Sequence, residues 1–195
     1  MKKQILFLSI VICLIAVSLW AETSRSGTGL AAQDNSYSKV MKLQISGSAI
    51  PLANPLAGPF PILANYQGSG NAGHVSGQGM YLYSPLSFGS DGKSALSLLE
   101  GQTSCRFEVN GEVLLGVFDP GETGWLQITD PATGSAAWEQ NWVGKIVGGT
   151  GEFAGIQGTI KKSARGSAVL FTASGQPGSA VVQPWSGTLE IHLEK

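Results

Sequence analysis

The hairpin text around Asn110-Gly111 constrains this chain more than any other stretch. Cys105, Phe107 and Val109 alternate with Ser104, Arg106 and Glu108, and Val113, Leu115 and Val117 follow the turn. Alternation with a period of two is the pattern of a half-buried strand. Asn-Gly tolerates the positive φ that a type I′ turn demands, so these residues predict a tight antiparallel hairpin. The same period recurs along the chain. Met41, Leu43 and Ile45 alternate with Lys42, Gln44 and Ser46, and Leu189, Ile191 and Leu193 alternate with Glu190, His192 and Glu194. Further strands are expected at Gly73–Tyr83, Trp125–Thr129, Trp138–Val147, Phe153–Lys162 and Ser167–Ala173. Asp119-Pro120-Gly121 and Asp130-Pro131-Ala132-Thr133-Gly134 supply turns between them.

No stretch carries a helical stripe of useful length, although Ser94–Glu100 is long enough for one or two helical turns. Pro51, Pro55, Pro59 and Pro61 mark a loop or an edge covering, because proline removes a ladder donor. Eight or nine short strands imply a sandwich or a closed barrel. Six glycines lie between Gly144 and Gly158, and glycine in strands marks the bulges and corners of a closing sheet. The fold class expected is therefore all-β, an antiparallel barrel of about eight strands. Closure also removes edges that this chain has few charges to protect: charged residues are 13% of the 195.

The N-terminus reads as an address. Lys2 and Lys3 precede an uncharged, largely apolar run that ends at Ala21. That is the form of a secretory signal peptide, with an uncleaved anchor as the alternative. No small residue stands before Cys13, which argues against a lipid-modified cysteine. The division expected is a signal peptide at 1–21, a disordered tether at 22–38 and one barrel at 39–195, in a secreted or periplasmic protein. Cleavage leaves ten basic residues against thirteen acidic ones, a net charge of −3, and Cys105 as the lone cysteine. One cysteine makes no internal disulfide, and its place in the alternation points to a buried thiol.

Most chemical motifs fail their context. Gly68-Ser69-Gly70-Asn71-Ala72-Gly73 matches G-x-G-x-x-G, but a proline-rich loop precedes it and a strand follows, whereas a dinucleotide fingerprint needs a strand and then a helix. Gly92-Lys93-Ser94 lacks the earlier glycine of a P-loop. Two distant histidines and one mature cysteine make no zinc set, so no metal and no cofactor are expected. The adjacent Lys161-Lys162 reads as a solvated strand end, and the weak basic field excludes nucleic acid as a partner.

The catalytic candidates are His74, whose imidazole is suited to general acid or base work, and the pair Arg106 and Glu108, which share one hairpin face. Each has a plain alternative, a strand-end imidazole and a wet outer face. Tyr81, Tyr83, Trp125, Trp138 and Trp142 are the candidates for lining a ligand cavity, against ordinary packing.

Ile146 to Gly158 contains Gly148-Gly149-Thr150-Gly151-Glu152-Phe153-Ala154-Gly155-Ile156-Gln157-Gly158. This run resembles the GGTG-x-F-x-x-x-x-G signature of dirigent proteins and allene oxide cyclases, which share an eight-stranded antiparallel barrel. It resembles more closely small exported bacterial proteins with such a barrel, on Gly70 to His74, Asn110-Gly111-Glu112 and Ile146 to Gly155. The resemblance implies a structural role for Gly148, Gly149, Thr150, Gly151, Phe153, Gly155 and Gly158. None of those families' active-site positions is matched, so it carries no activity. The leading function read from the sequence is non-catalytic binding of a small apolar or aromatic ligand, or a structural role in the cell envelope. The alternative is a cofactor-free isomerase, cyclase or dirigent-like enzyme working in the cavity. Self-association into a homo-oligomer is a third reading, and no membrane span remains after cleavage.

Overall fold

The computed structural model describes residues 38–100, 103–170 and 181–194. The signal segment, Cys13 and most of the tether lie outside them. Ten strands follow in chain order: β1 (Ser38–Pro51), β2 (Phe60–Gly70), β3 (Gly73–Tyr83), β4 (Lys93–Leu98), β5 (Ser104–Val109), β6 (Glu112–Phe118), β7 (Gly121–Asp130), β8 (Ser135–Gly149), β9 (Gln157–Val169) and β10 (Val181–Glu194). All pairings are antiparallel.

The sheet closes on itself. The ring runs β2-β1-β10-β9-β8 and returns to β3 and β2. The gap between β8 and β3 is bridged twice. β6 and β5 fill it where β8 spans Gly144–Gly149, and β7 and β4 fill it where β8 spans Ser135–Gln140. Eight strands therefore surround the interior in each half, and the long β8 serves both.

Alternation does most of the sorting. Met41, Leu43, Ile45, Leu189, Ile191 and Leu193 are all buried, as their spacing predicts. The Asn110-Gly111 turn is also where expected, with φ of 53° and 84°. The inward residues of β6 are the exception. A two-residue turn pairs Val109 with Glu112 and Phe107 with Leu114. Leu114 and Phe118 therefore point inward, while Leu115 is 40% exposed. The Val113, Leu115 and Val117 series reads as a core face, but the turn length assigns it to the outside.

Ser94–Glu100 holds no helical turn, since Lys93–Leu98 is a strand paired to β7. The stretches read as Phe153–Lys162 and Ser167–Ala173 form one strand from Gln157 to Val169, Phe153 belongs instead to the turn before it, and positions 171–180 lie outside the described residues. β2 carries no clean alternation in sequence but pairs along its full length with β3. The G-x-G-x-x-G match spans their tight turn.

The two ends of the barrel differ. At the end where β1 begins, Met41, Val109, Leu114, Ile160, Ile191 and Leu193 form an aliphatic plug. The glycine signature seals this end. Gly148 and Gly149 end β8, Gly151–Phe153 makes one 3₁₀ turn, and Phe153 is fully buried. Thr150 Oγ1 accepts the Val113 N–H at 2.9 Å, and the Glu112 carboxylate accepts the Glu152 N–H at 2.7 Å. Gly151 sits at φ 54°, and a Cβ there would overlap the Glu112 carboxylate. The other half of the barrel is aromatic and contains open space.

Candidate functional site

The interior beyond the plug is built by exchanging small residues for rings. Gly77 and Gly79 face inward on β3, and Gly47 and Gly166 on β1 and β9. A Cβ on Gly77 would overlap the Tyr66 ring, and one on Gly79 would come within 2.6 Å of the Tyr81 hydroxyl. A Cβ on Gly166 would lie 2.8 Å from Trp138 and 2.9 Å from Trp185. These glycines are spacers for aromatic side chains, a role beyond the bulges expected of them.

Lys162 stands at the centre of these rings. It projects inward from β9, between Ile160 and Ala164 in the alternation, and is 3% exposed. Its Nζ lies 4.6 Å from the ring centroids of Trp142 and Trp185, 4.7 Å from Tyr66 and 5.0 Å from Tyr81. It donates a hydrogen bond to Tyr81 Oη at 3.2 Å. The solvated strand end expected of Lys161-Lys162 holds only for Lys161. Strand pairing places Lys162 opposite Leu189 and Trp142, on the core face.

Among the described residues Lys162 makes no ion pair. Burying an unpaired charge costs several kcal/mol, and a cation over a ring regains about 0.5–2 kcal/mol. Desolvation by burial is the largest influence on Lys162 and lowers its pKa to about 7. Cys105 lies nearby, and burial pushes its thiol up to about 12. The Tyr66 and Tyr81 hydroxyls are also raised well above the usual 10, mainly by burial, so both are neutral donors at pH 7. Tyr66 Oη is buried with no hydrogen-bond partner among the described residues.

A second polar group extends from this centre. Tyr83 Oη accepts from Trp142 Nε1 at 3.2 Å and from Gln140 Nε2 at 3.1 Å. Gln140 Nε2 also donates to Thr123 Oγ1 at 2.9 Å, and Thr123 Oγ1 donates in turn to the Leu96 carbonyl at 2.9 Å. The network is saturated, so it fixes the rings rather than offering groups to a ligand.

Above Lys162 lies a partly open cavity of about 70 Å³. Lys162, Tyr81, Tyr83, Trp138, Gln140 and Trp142 line it, with Leu96 and Leu126. Pro51 and Pro55, from the proline-rich stretch, and Leu86 close over the mouth. Pro55 is fully buried, and its carbonyl accepts the Leu86 N–H at 2.8 Å. The lining is apolar apart from the lysine, the hydroxyls and the amide, the make-up of a small-molecule site.

Four of the five aromatic candidates line this cavity. Trp125 does not: it lies on the outer face of β7 under the Lys93 ammonium, 4.9 Å from its ring centroid. The catalytic candidates are brought together, but on the outside. Arg106 and Glu108 form an exposed ion pair at 3.2 Å, and His74 and Glu108 border one shallow polar groove. None of the three reaches the cavity. Lys162 lines the cavity but is not among the sequence-predicted site residues. Its signal in the sequence is parity, since Ile160, Lys162, Ala164, Gly166 and Ala168 form one face of small or apolar residues. Among the described residues no cluster of His, Cys, Asp or Glu fits a metal ion.

No family model matches the sequence, and no curated protein matches it. Among solved structures, the chain is similar to the pterocarpan synthase dirigent protein GePTS1. The TM-score is 0.38 and the sequence identity 16%, over 90% of this chain and 99% of that one.

Proposed function

We propose that this is an exported binding protein that takes a small, mainly apolar molecule into the open half of its barrel. One observation supports this above the others: an apolar cavity inside the barrel has, at its floor, a lysine with no counter-ion among the described residues. A protein that needed only a filled core would gain stability from an aliphatic side chain at position 162. The volume limits the ligand. At about 70 Å³ the cavity is smaller than the ~150 Å³ engineered apolar cavity that admits benzene. Occupants are therefore a few heavy atoms in size, or they displace the Pro51–Pro55 cover. Export rests on the apolar run before Ala21.

Saturation-transfer NMR with toluene and with isobutanol tests the reading. Transfer to either, abolished when Leu96→Trp fills the cavity, supports it. No transfer from any small apolar probe would overturn it.

A cofactor-free isomerase in the same cavity is the second reading. It is favoured by the Lys162–Tyr81 contact, a proton donor and acceptor in a water-poor site. The outer trio His74, Arg106 and Glu108 contributes nothing to that chemistry.

A further inference from the structure

We infer that Lys162 is a carbonyl-capturing amine, forming a reversible imine with small apolar aldehydes or ketones that enter the barrel cavity. The inference rests on the cavity being a ligand site and names the class of ligand.

Three features of the geometry carry it. First, Lys162 is one of the cavity's lining residues, and its nitrogen is held by rings rather than by an acid. A carboxylate partner would keep the amine protonated and unreactive. Four ring faces leave it free to lose a proton, yet they still stabilise the cation of a protonated imine. Second, Tyr81 Oη is 3.2 Å from Nζ, close enough to relay a proton from the amine. Third, the lining is apolar, so the water released in the reaction is poorly retained. A lysine desolvated in an apolar pocket is a recognised route to an amine nucleophile at neutral pH.

The step balances without a co-reactant. The amine lone pair attacks the carbonyl carbon, forming the C–N bond, and the carbonyl oxygen takes one amine proton, relayed by the Tyr81 hydroxyl. The resulting carbinolamine loses its hydroxyl with the second amine proton as water. A C=O bond is replaced by C=N, and nothing is oxidised or reduced.

The titratable groups facing Nζ are Tyr66 from β2, Tyr81 from β3 and Cys105 from β5, all uncharged at pH 7. Burial sets the Lys162 pKa near 7. Its free-amine fraction there exceeds that of an ordinary lysine by roughly a thousandfold.

The test is reductive trapping of the full chain with isobutyraldehyde and sodium cyanoborohydride at pH 7, followed by intact mass and peptide mapping. The expected result is one isobutyl group on Lys162, formed at least about tenfold faster than on Lys42, Lys93, Lys145 or Lys161. Lys162→Met and the cavity-filling Leu96→Trp should both abolish it, and Tyr81→Phe should slow it. If the adducts fall on surface lysines and spare Lys162 while toluene still binds, the amine chemistry is wrong and the cavity reading survives. If neither toluene nor the smaller isobutanol binds, both fall.

Discussion

Lys162 Nζ lies 3.2 Å from Tyr81 Oη inside a ring of four aromatic faces, and among the described residues no acid pairs with it. A buried cation held this way costs stability wherever it is charged. The direction of that cost gives the first prediction.

The folded pKa of Lys162 is about 7, against 10.5 for the unfolded chain. Between these values the unfolded state binds more protons, so stability rises with pH. Cys105 acts oppositely above pH 9, because its folded pKa is raised to about 12. Thermal melts should therefore show stability rising from pH 7 to about 9 and then levelling or falling. Lys162→Met should be more stable than the wild type by a few kcal/mol at pH 6, with the gap narrowing towards pH 9. Equal melting temperatures at pH 6 would contradict the burial of a charge.

The spacer glycines give a second prediction. Gly77→Ala drives a methyl group into the Tyr66 ring and should cost about 1–3 kcal/mol in chemical denaturation. Tyr66→Leu removes the obstacle. The double variant should then lose less than the sum of the two single losses, since the residues share one space.

A third prediction separates the aromatic residues. Trp138→Leu and Trp142→Leu change the cavity wall, whereas Trp125→Phe alters only the outer face of β7. Toluene affinity, read by saturation transfer, should change several-fold in the first two variants. It should stay within twofold in the third.

The plugged end gives a fourth. Phe153 is fully buried under the Gly151–Phe153 turn. Phe153→Ala should cost about 3–5 kcal/mol in urea unfolding, yet leave toluene binding to the folded fraction unchanged, because Phe153 is not a cavity residue. A loss of binding by the folded protein would mean that the two halves are not independent.

The barrel was legible because its strands alternate. Met41 to Ile45 and Leu189 to Leu193 state their faces outright, and Asn110-Gly111 states its turn. Two kinds of information were not. Parity across a turn depends on pairing: Leu115 reads as core until Arg106 is seen opposite it. The site depends on one polar residue in a face of small ones. Lys162 is next to Lys161, and two adjacent lysines suggest solvent. Only strand pairing to Trp142 and Leu189 turns one of them inward. Gly77 and Gly166 carry the same lesson, since their value lies in rings that are far away in sequence. His74, Arg106 and Glu108 are of catalytic chemical types, but a chemical type says nothing about which face of a strand it occupies.

The most direct measurement is NMR of protein labelled with ¹³C at the lysine ε-carbons, titrated from pH 5 to 11 with and without toluene. One signal, absent from Lys162→Met, should titrate near pH 7 and move when toluene is added. If every lysine titrates near its ordinary value and none responds to toluene, Lys162 does not stand on the floor of an open apolar cavity, and the account fails.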